Sequence, residues 1–153
     1  MSDLTAPSPQ RPPGAGLRIG MFGGAFDPPH WAHRNLAETA LKQLGRDQLH
    51  ILPTGQAWHK TRVLIPAEHR VAMCERAFAG LPHVKVDQRE IRRDGPSYTA
   101  DTLRELAAEY PGAQIFLVLG ADQLLAFKTW VRWQEVLQCA TLAVANRGVN
   151  IGA

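Results

Sequence analysis

Apolar residues along the chain follow two alternating rhythms: short unbroken runs, and longer stretches that repeat every three to four positions. Leu17 to Phe22 is an unbroken run stopped by Gly23-Gly24, and it reads as a buried strand. Leu36, Ala37, Ala40, Leu41 and Leu44 then recur at helical spacing, with Gly45 where the residue just past a helix end belongs. Leu49 to Leu52 predicts a second strand, ended by Pro53. A long polar loop leads to a helix from about Ala67 to Ala79, and Val84 and Val86 mark a third strand. Ser97 is placed to cap a helix that shares Leu103, Leu106, Ala107 and Tyr110 on one face and closes at Pro111-Gly112. Ile115 to Leu119 is the clearest strand. A helix containing Trp133, Val136 and Leu137 follows, and then the apolar run Thr141 to Ala145. Strand and helix alternate throughout, which predicts a single α/β domain with a doubly wound parallel sheet and helices on both faces. No internal repeat or linker interrupts it.

Composition narrows the class. The 153 residues suffice for one domain, and 45% hydrophobic with 20% charged residues is the balance of an ordinary globule. No apolar run reaches the ~20 residues a membrane helix needs, so no membrane partner is expected. Seventeen Lys and Arg against 14 Asp and Glu leave a net charge of +3. That excess makes no continuous phosphate-tracking stripe, so nucleic acid is not the expected partner, whereas a small anionic substrate suits it. Met1 to Gly16 holds four prolines and no apolar core of a signal peptide, so it reads as a disordered leader of a cytoplasmic protein. Cys74 and Cys139 form no metal or redox motif, and Cys74 shares helical spacing with Val71 and Phe78 as a small buried hydrophobe.

In sheets of this kind ligands bind beyond the carboxyl ends of the strands. The first such loop reads Gly23-Gly24-Ala25-Phe26-Asp27-Pro28-Pro29-His30-Trp31-Ala32-His33. The glycines let the backbone approach a ligand and adopt positive φ. Asp27 and Pro28 are a natural cap and first helical residue. His30 and His33 then share one face of the opening helical turn, at the positive end of its dipole, where phosphate is the fitting guest. A dinucleotide fingerprint fails, because Gly14-x-Gly16 precedes the strand and Ile19 stands where a third glycine belongs. A metal site fails for want of third and fourth ligands at a telling distance.

Gly-Gly-x-Phe-Asp-Pro-x-His-x-x-His resembles the opening of the nucleotidyltransferases with a His-x-Gly-His signature, with Ala32 in the place of that glycine. Glu90 to Leu103, with its Gly95-Pro96-Ser97-Tyr98-Thr99 core, resembles a segment of the bacterial nicotinate-mononucleotide adenylyltransferases. So does Gly120-Ala121-Asp122-Gln123-Leu124 with Trp130 and Trp133 following. The resemblance runs from about Leu17 to Arg147, so residues 17–147 are expected to form the adenylyltransferase domain and 148–153 a divergent tail. It implies a Rossmann-like fold and a reaction in which ATP and nicotinate mononucleotide give deamido-NAD and pyrophosphate, a step of NAD biosynthesis.

The resemblance also implies roles. His30, His33 and Lys60 serve the chemistry, with Lys60 bringing a mobile charge from the long loop. Gly23, Gly24, Phe26, Asp27, Gly120 and Asp122 meet ATP. The amides around Tyr98 and Thr99 meet the nicotinate carboxylate, Trp130 stacks on the pyridine ring, and Arg147 meets the mononucleotide phosphate. Magnesium accompanies ATP as the bridging cation, with no protein-borne metal site. Trp133 reads as core, Asp101 and Glu105 as solvated helix charges, and Glu68, His69 and Arg70 as the opening turn of a helix. Homo-oligomerisation is compatible with the sequence and not fixed by it.

Two alternatives stay open. A phosphopantetheine adenylyltransferase shares the first motif but not the Gly-Pro-Ser-Tyr-Thr segment or the tryptophans. A nucleotide-binding module without turnover is the alternative of another class. Family members continue past Asn146-Arg147 with a Ser/Thr-rich phosphate-binding turn that Gly148 to Ala153 does not supply. The expectation is therefore weak ATP binding and severely impaired or absent turnover for a chain of this length.

Overall fold

Strands with apolar side chains on both faces need cover on both faces, and the computed structural model arranges the chain accordingly. It describes residues 16–44, 47–55, 65–93, 97–145 and 151–152. The elements are β1 (Arg18–Gly24), α1 (Trp31–Leu44), β2 (Gln48–Pro53), α2 (Ala67–Ala77), β3 (Val84–Val86), α3 (Arg89–Arg92), α4 (Thr99–Glu109), β4 (Gln114–Gly120), α5 (Ala121–Leu125), a 3-10 turn (Phe127–Thr129), α6 (Trp133–Cys139), β5 (Thr141–Ala145) and β6 (Ile151–Gly152). The sheet order is β3-β2-β1-β4-β5-β6. The first five strands run parallel, and β6 adds an antiparallel edge through Val144–Gly152 and Ala145–Ile151. This is the doubly wound, Rossmann-like sheet, and its order reverses between the neighbours β1 and β4.

Alternation along the strands builds two cores. Met21, Leu52, Ile115, Leu117 and Leu119 point to one face, where Ala100, Leu103 and Leu106 of α4 and Val136 of α6 cover them. Phe22, Leu49, Ile51 and Val118 point to the other, against Ala37 and Ala40 of α1 and Cys74 and Phe78 beside α2. Cys74 is fully buried there, and burial pushes its thiol up to about 12, so it behaves as the small hydrophobe its spacing implied.

Several boundaries differ from the pattern reading. The α2 helix ends at Ala77, two residues early, and Phe78 caps it with a backbone bond to the Cys74 carbonyl. Ser97 does not cap α4: Tyr98 holds that position without a side-chain bond. The short helices α3 and α5 and the strand β6 were absent from the pattern. Gly112 does close the α4–β4 turn, at φ +87°. Gly45 and the leader up to residue 15 lie outside the described residues, as do residues 148–150 and 153 of the expected tail.

Candidate functional site

The carboxyl ends of β1 and β4 open onto one side of the sheet, and both deliver loops there. The loop after β1 does not place Asp27 and Pro28 at the head of α1 as expected. The helix starts at Trp31, with His30 just before it. The His30 Nδ1 accepts the Ala32 amide at 3.3 Å, and the His33 Nδ1 accepts the His30 amide at 3.0 Å. These are the two reciprocal bonds of a capping box, made by imidazoles instead of Ser and Glu. The rings lie 4.0 Å apart, centre to centre, tilted by 30°. A ring nitrogen that accepts carries no proton, so each neutral ring bears its proton on Nε2, away from the backbone. Burial, and then the neighbouring His30, push the His33 pKa down to about 4. At neutral pH it is an uncharged donor at a helix N-terminus.

The strain in this loop sits elsewhere than expected. Neither Gly23 nor Gly24 has a positive φ; Phe26 does, at +49°. Its ring packs edge-on against His33 at 4.9 Å, Phe22 at 5.3 Å and Phe78 at 6.0 Å, which holds that backbone in place. Asp27 turns back and accepts the Ile65 amide at 2.9 Å, tying the loop to the start of α2. Arg70, in the opening turn of α2 as read, is only 1% exposed. It donates to the carbonyls of Ile65, Ala25, Thr54 and Gly55 at 2.7, 3.0, 2.6 and 3.4 Å. One guanidinium thus braces the loops after β1 and β2 and the entry to α2.

Across from the histidines, α3 and α4 form the other wall. The Thr102 hydroxyl donates to Glu90 at 2.8 Å, and Arg93 reaches both Thr102 and Glu105, the latter at 2.8 Å. Burial pushes the Glu90 carboxyl above its ordinary value, and the Thr102 bond and Arg93 partly offset this. Behind it the buried Asp87 pairs with His50 at 2.8 Å and with Arg89, which also clamps Glu109. Burial opposes ionisation of Asp87, but these bonds outweigh it and hold the group well below the carboxylate range. Asp101 and Glu105 lie on the solvent side of α4 and are also paired, Asp101 with Arg132 and Glu105 with Arg89 and Arg93.

Three cavities run into one another along this side. One of about 480 Å³ is lined by Gly23 to Pro28 with Phe22, His30, His33, Leu36, Gly120 and Gln123. The next, about 410 Å³, shares Gly23, Gly24, Ala25 and Gln123 with it and adds Thr54, Glu90, Ser97, Thr99 and Trp130. The third, about 300 Å³, shares Ser97, Thr99 and Trp130 and adds Tyr98, Thr129 and Val131. The amides of Thr99 and Ala100, at the head of α4, find no acceptor among the described residues, since the first bonds to Tyr98 come from Asp101 and Thr102.

The expected site residues therefore divide. Gly23, Gly24, Phe26, Asp27, His30, His33 and Gly120 meet around the first cavity, and Tyr98, Thr99 and Trp130 around the third. Asp122 is exposed and lines none of the three; Gln123 lines two of them and donates no cap but accepts the Gly120 amide at 3.2 Å. Trp130 lines two cavities while packing on Phe127, and Trp133 packs on the core as expected. Lys60 and Arg147 lie outside the described residues. Arg70, Glu90 and Thr54 were missed. A lone Arg or Glu at a helix start gives no signal of burial in a sequence, because its partners are backbone carbonyls or residues distant along the chain.

A doubly wound sheet whose first crossover carries a Gly-Gly loop and a paired-histidine helix start is a nucleotidyltransferase architecture, and the cytidylyltransferase-like family matches residues 21–151. The chain belongs to that family and, within it, to the nicotinate-nucleotide adenylyltransferases. A protein of Albidiferax ferrireducens bearing the name probable nicotinate-nucleotide adenylyltransferase is 59% identical over 89% of this chain and 69% of its own length. A Methylibium petroleiphilum protein of the same name is 49% identical over 92% of this chain and 63% of its own. The chain thus spans about two thirds of these curated relatives. A Plasmodium falciparum nicotinic acid mononucleotide adenylyltransferase, solved in complex with NaAD, shares the fold. Its TM-score is 0.76 at 17% identity, over 86% of this chain and 65% of that one. No helix among the described residues is long and apolar enough to cross a membrane.

Proposed function

We propose that the chain transfers the adenylyl group of ATP to nicotinate mononucleotide, releasing pyrophosphate and forming deamido-NAD, with residues 17–147 as the catalytic domain. The observation that supports this best is the continuous run of three cavities. It has histidine donors at one end and, at the other, a tryptophan with helix amides that bond no acceptor among the described residues. A dinucleotide-sized product needs such an extended cleft.

A phosphate oxygen of the mononucleotide attacks the α-phosphorus of ATP, and the bond from that phosphorus to the bridging oxygen of the β-phosphate breaks. The nucleophile is already ionised, so no general base is needed. The protein supplies alignment and relief of repulsion between anions. His30 and His33 donate from Nε2 to the triphosphate, and the Gly23–Gly24 backbone, Phe26, Asp27 and Gly120 shape its seat. Lys60 adds positive charge from the loop after β2, and Arg147 meets the mononucleotide phosphate. Asp122 lies near the ATP ribose. Trp130 stacks on the pyridine ring, and the amides of Thr99 and its neighbours receive the carboxylate.

Magnesium would arrive on the ATP phosphates and would offset their charge there. His30 and His33, whose Nδ1 atoms are taken by backbone amides, would donate from Nε2 to phosphate oxygens. Incubating the chain with ATP, magnesium and nicotinate mononucleotide should yield pyrophosphate and deamido-NAD in equal amounts. ATP binding without product would instead favour a nucleotide-binding module without turnover.

A further inference from the structure

The middle cavity contains a group that the proposed reaction leaves without a task. Among the described residues Glu90 is the only ionisable side chain on its lining, and it is buried to 8% exposure. Its Oε2 accepts the Thr102 hydroxyl at 2.8 Å, and its other oxygen has no hydrogen-bond partner among the described residues. A carboxylate that lines a cavity with one oxygen unpartnered is a ready acceptor for a donor on a ligand. The cavities fix what that can be. The histidine end suits phosphates and the Trp130–Thr99 end suits an aromatic acid, and the cavity holding Glu90 joins the two. In a mononucleotide the part between base and phosphate is the ribose. The same answer follows from the ligand's chemistry. The ring carboxylate and the phosphate of nicotinate mononucleotide are acceptors only, and both would be repelled by Glu90. Its two ribose hydroxyls are its only hydrogen-bond donors.

We infer that Glu90 accepts a hydrogen bond from a ribose hydroxyl of the acceptor mononucleotide and so holds the sugar between the stacked ring and the phosphate. Thr102 is then a positioning residue, which fixes one oxygen so that the other faces the cleft. This rests on the reading of nicotinate mononucleotide as the acceptor substrate. Glu90 also balances the site: it is a negative group at the one point where the ligand is not negative, and it disfavours ligands shifted along the cleft.

Titration calorimetry of the full chain with nicotinate mononucleotide and its 2′-deoxy and 3′-deoxy analogues tests the assignment. One deoxy analogue should bind about tenfold more weakly than the parent. Glu90→Gln, which keeps the acceptor for Thr102 and the shape of the side chain, should weaken the parent by a similar factor and reduce that deoxy penalty to less than about twofold. Glu90→Asp, which draws the carboxylate back from the cleft, should shrink the penalty too and serves if the Gln variant fails to fold by circular dichroism. A merely structural Glu90 would weaken parent and analogues alike and leave the penalty intact, which overturns the inference. So does an unmodified chain that binds all three ligands equally. Failure of the unmodified chain to bind the parent mononucleotide at all overturns the acceptor assignment itself, and this inference with it.

Discussion

Each imidazole of the His30–His33 pair divides its two nitrogens between tasks: Nδ1 closes the head of α1, and Nε2 is left for a ligand. The division makes the two tasks separable by substitution. His33→Ala removes both, so turnover should fall roughly 10²-fold or more and the helix cap should lose about 1 kcal/mol. His33→Gln should recover the cap, since Gln at this position makes the same backward bond in ordinary capping boxes, yet leave turnover low. Thermal melts and a pyrophosphate assay on the two variants check this; full activity in the Gln variant would remove the phosphate role from His33. The ring's lowered pKa has a second consequence. The unfolded chain takes up a proton near 6.5, whereas the folded chain resists it until about 4. The unfolded state therefore binds more protons in that window, and stability should drop as pH falls from 6.5 to 4. The ceiling is about 3 kcal/mol, and about half of that remains once partial solvent access is allowed for. Urea unfolding at a series of pH values should show the slope, reduced in His33→Gln.

The strands and long helices carry their signals within a few neighbouring residues, which is why β1, β2, β4, β5 and the faces of α1 and α4 are legible in the sequence alone. The histidine pair is legible for the same reason, since three-residue spacing on a first turn is local. What stays hidden is decided by residues far apart. Helices α3 and α5, at four and five residues, are too short to show a period. The bracing by Arg70 depends on four carbonyls that the sequence cannot bring together. Arg70→Met would take away the guanidinium donors from four half-buried carbonyls, and should cost about 3 kcal/mol and loosen the loop that holds Phe26 and Asp27. Arg70→Lys, with fewer donors on a narrower head, should recover only part of it. Denaturant midpoints and ATP titrations of both variants measure the two effects; a Met variant as stable as the parent would show the brace to be dispensable. Gly55 is a second hidden constraint. A Cβ there would lie 2.7 Å from the Glu90 carbonyl and 2.9 Å from the Ile91 Cα, both backbone atoms. Gly55→Ala must push α3 away from the loop after β2, which should cost about 1–3 kcal/mol and displace Glu90 from its cavity.

Taken whole, the molecule carries a net charge of +3, and its cleft has donors at both ends and a carboxylate in the middle. At one end two imidazoles turn Nε2 outward at the head of α1; at the other, amides without an acceptor among the described residues stand at the head of α4 beside Trp130. The second arrangement decides which pyridine nucleotide the cleft should take. Backbone amides at a helix N-terminus are donors only, and the helix dipole adds positive potential there. A carboxylate offers them two charged acceptor oxygens. A carboxamide offers one weaker oxygen and must turn its own NH2 donor toward donors that repel it. Loss of one charge-assisted bond, together with an NH2 left without an acceptor, should favour nicotinate over nicotinamide mononucleotide by at least about tenfold in kcat/KM. Glu90 bears on the outcome, because a carboxylate within reach of the ring substituent would instead welcome an NH2 donor and narrow the gap. On the proposal that Glu90 holds the sugar it meets a part of the ligand where acid and amide forms are identical. The selectivity ratio should therefore be the same in Glu90→Gln as in the parent chain, even as both rates fall. Steady-state kinetics with the two mononucleotides check both statements. Equal kcat/KM values in the parent would move the carboxylate away from the head of α4, and a ratio that rises in Glu90→Gln would move Glu90 from the sugar to the ring.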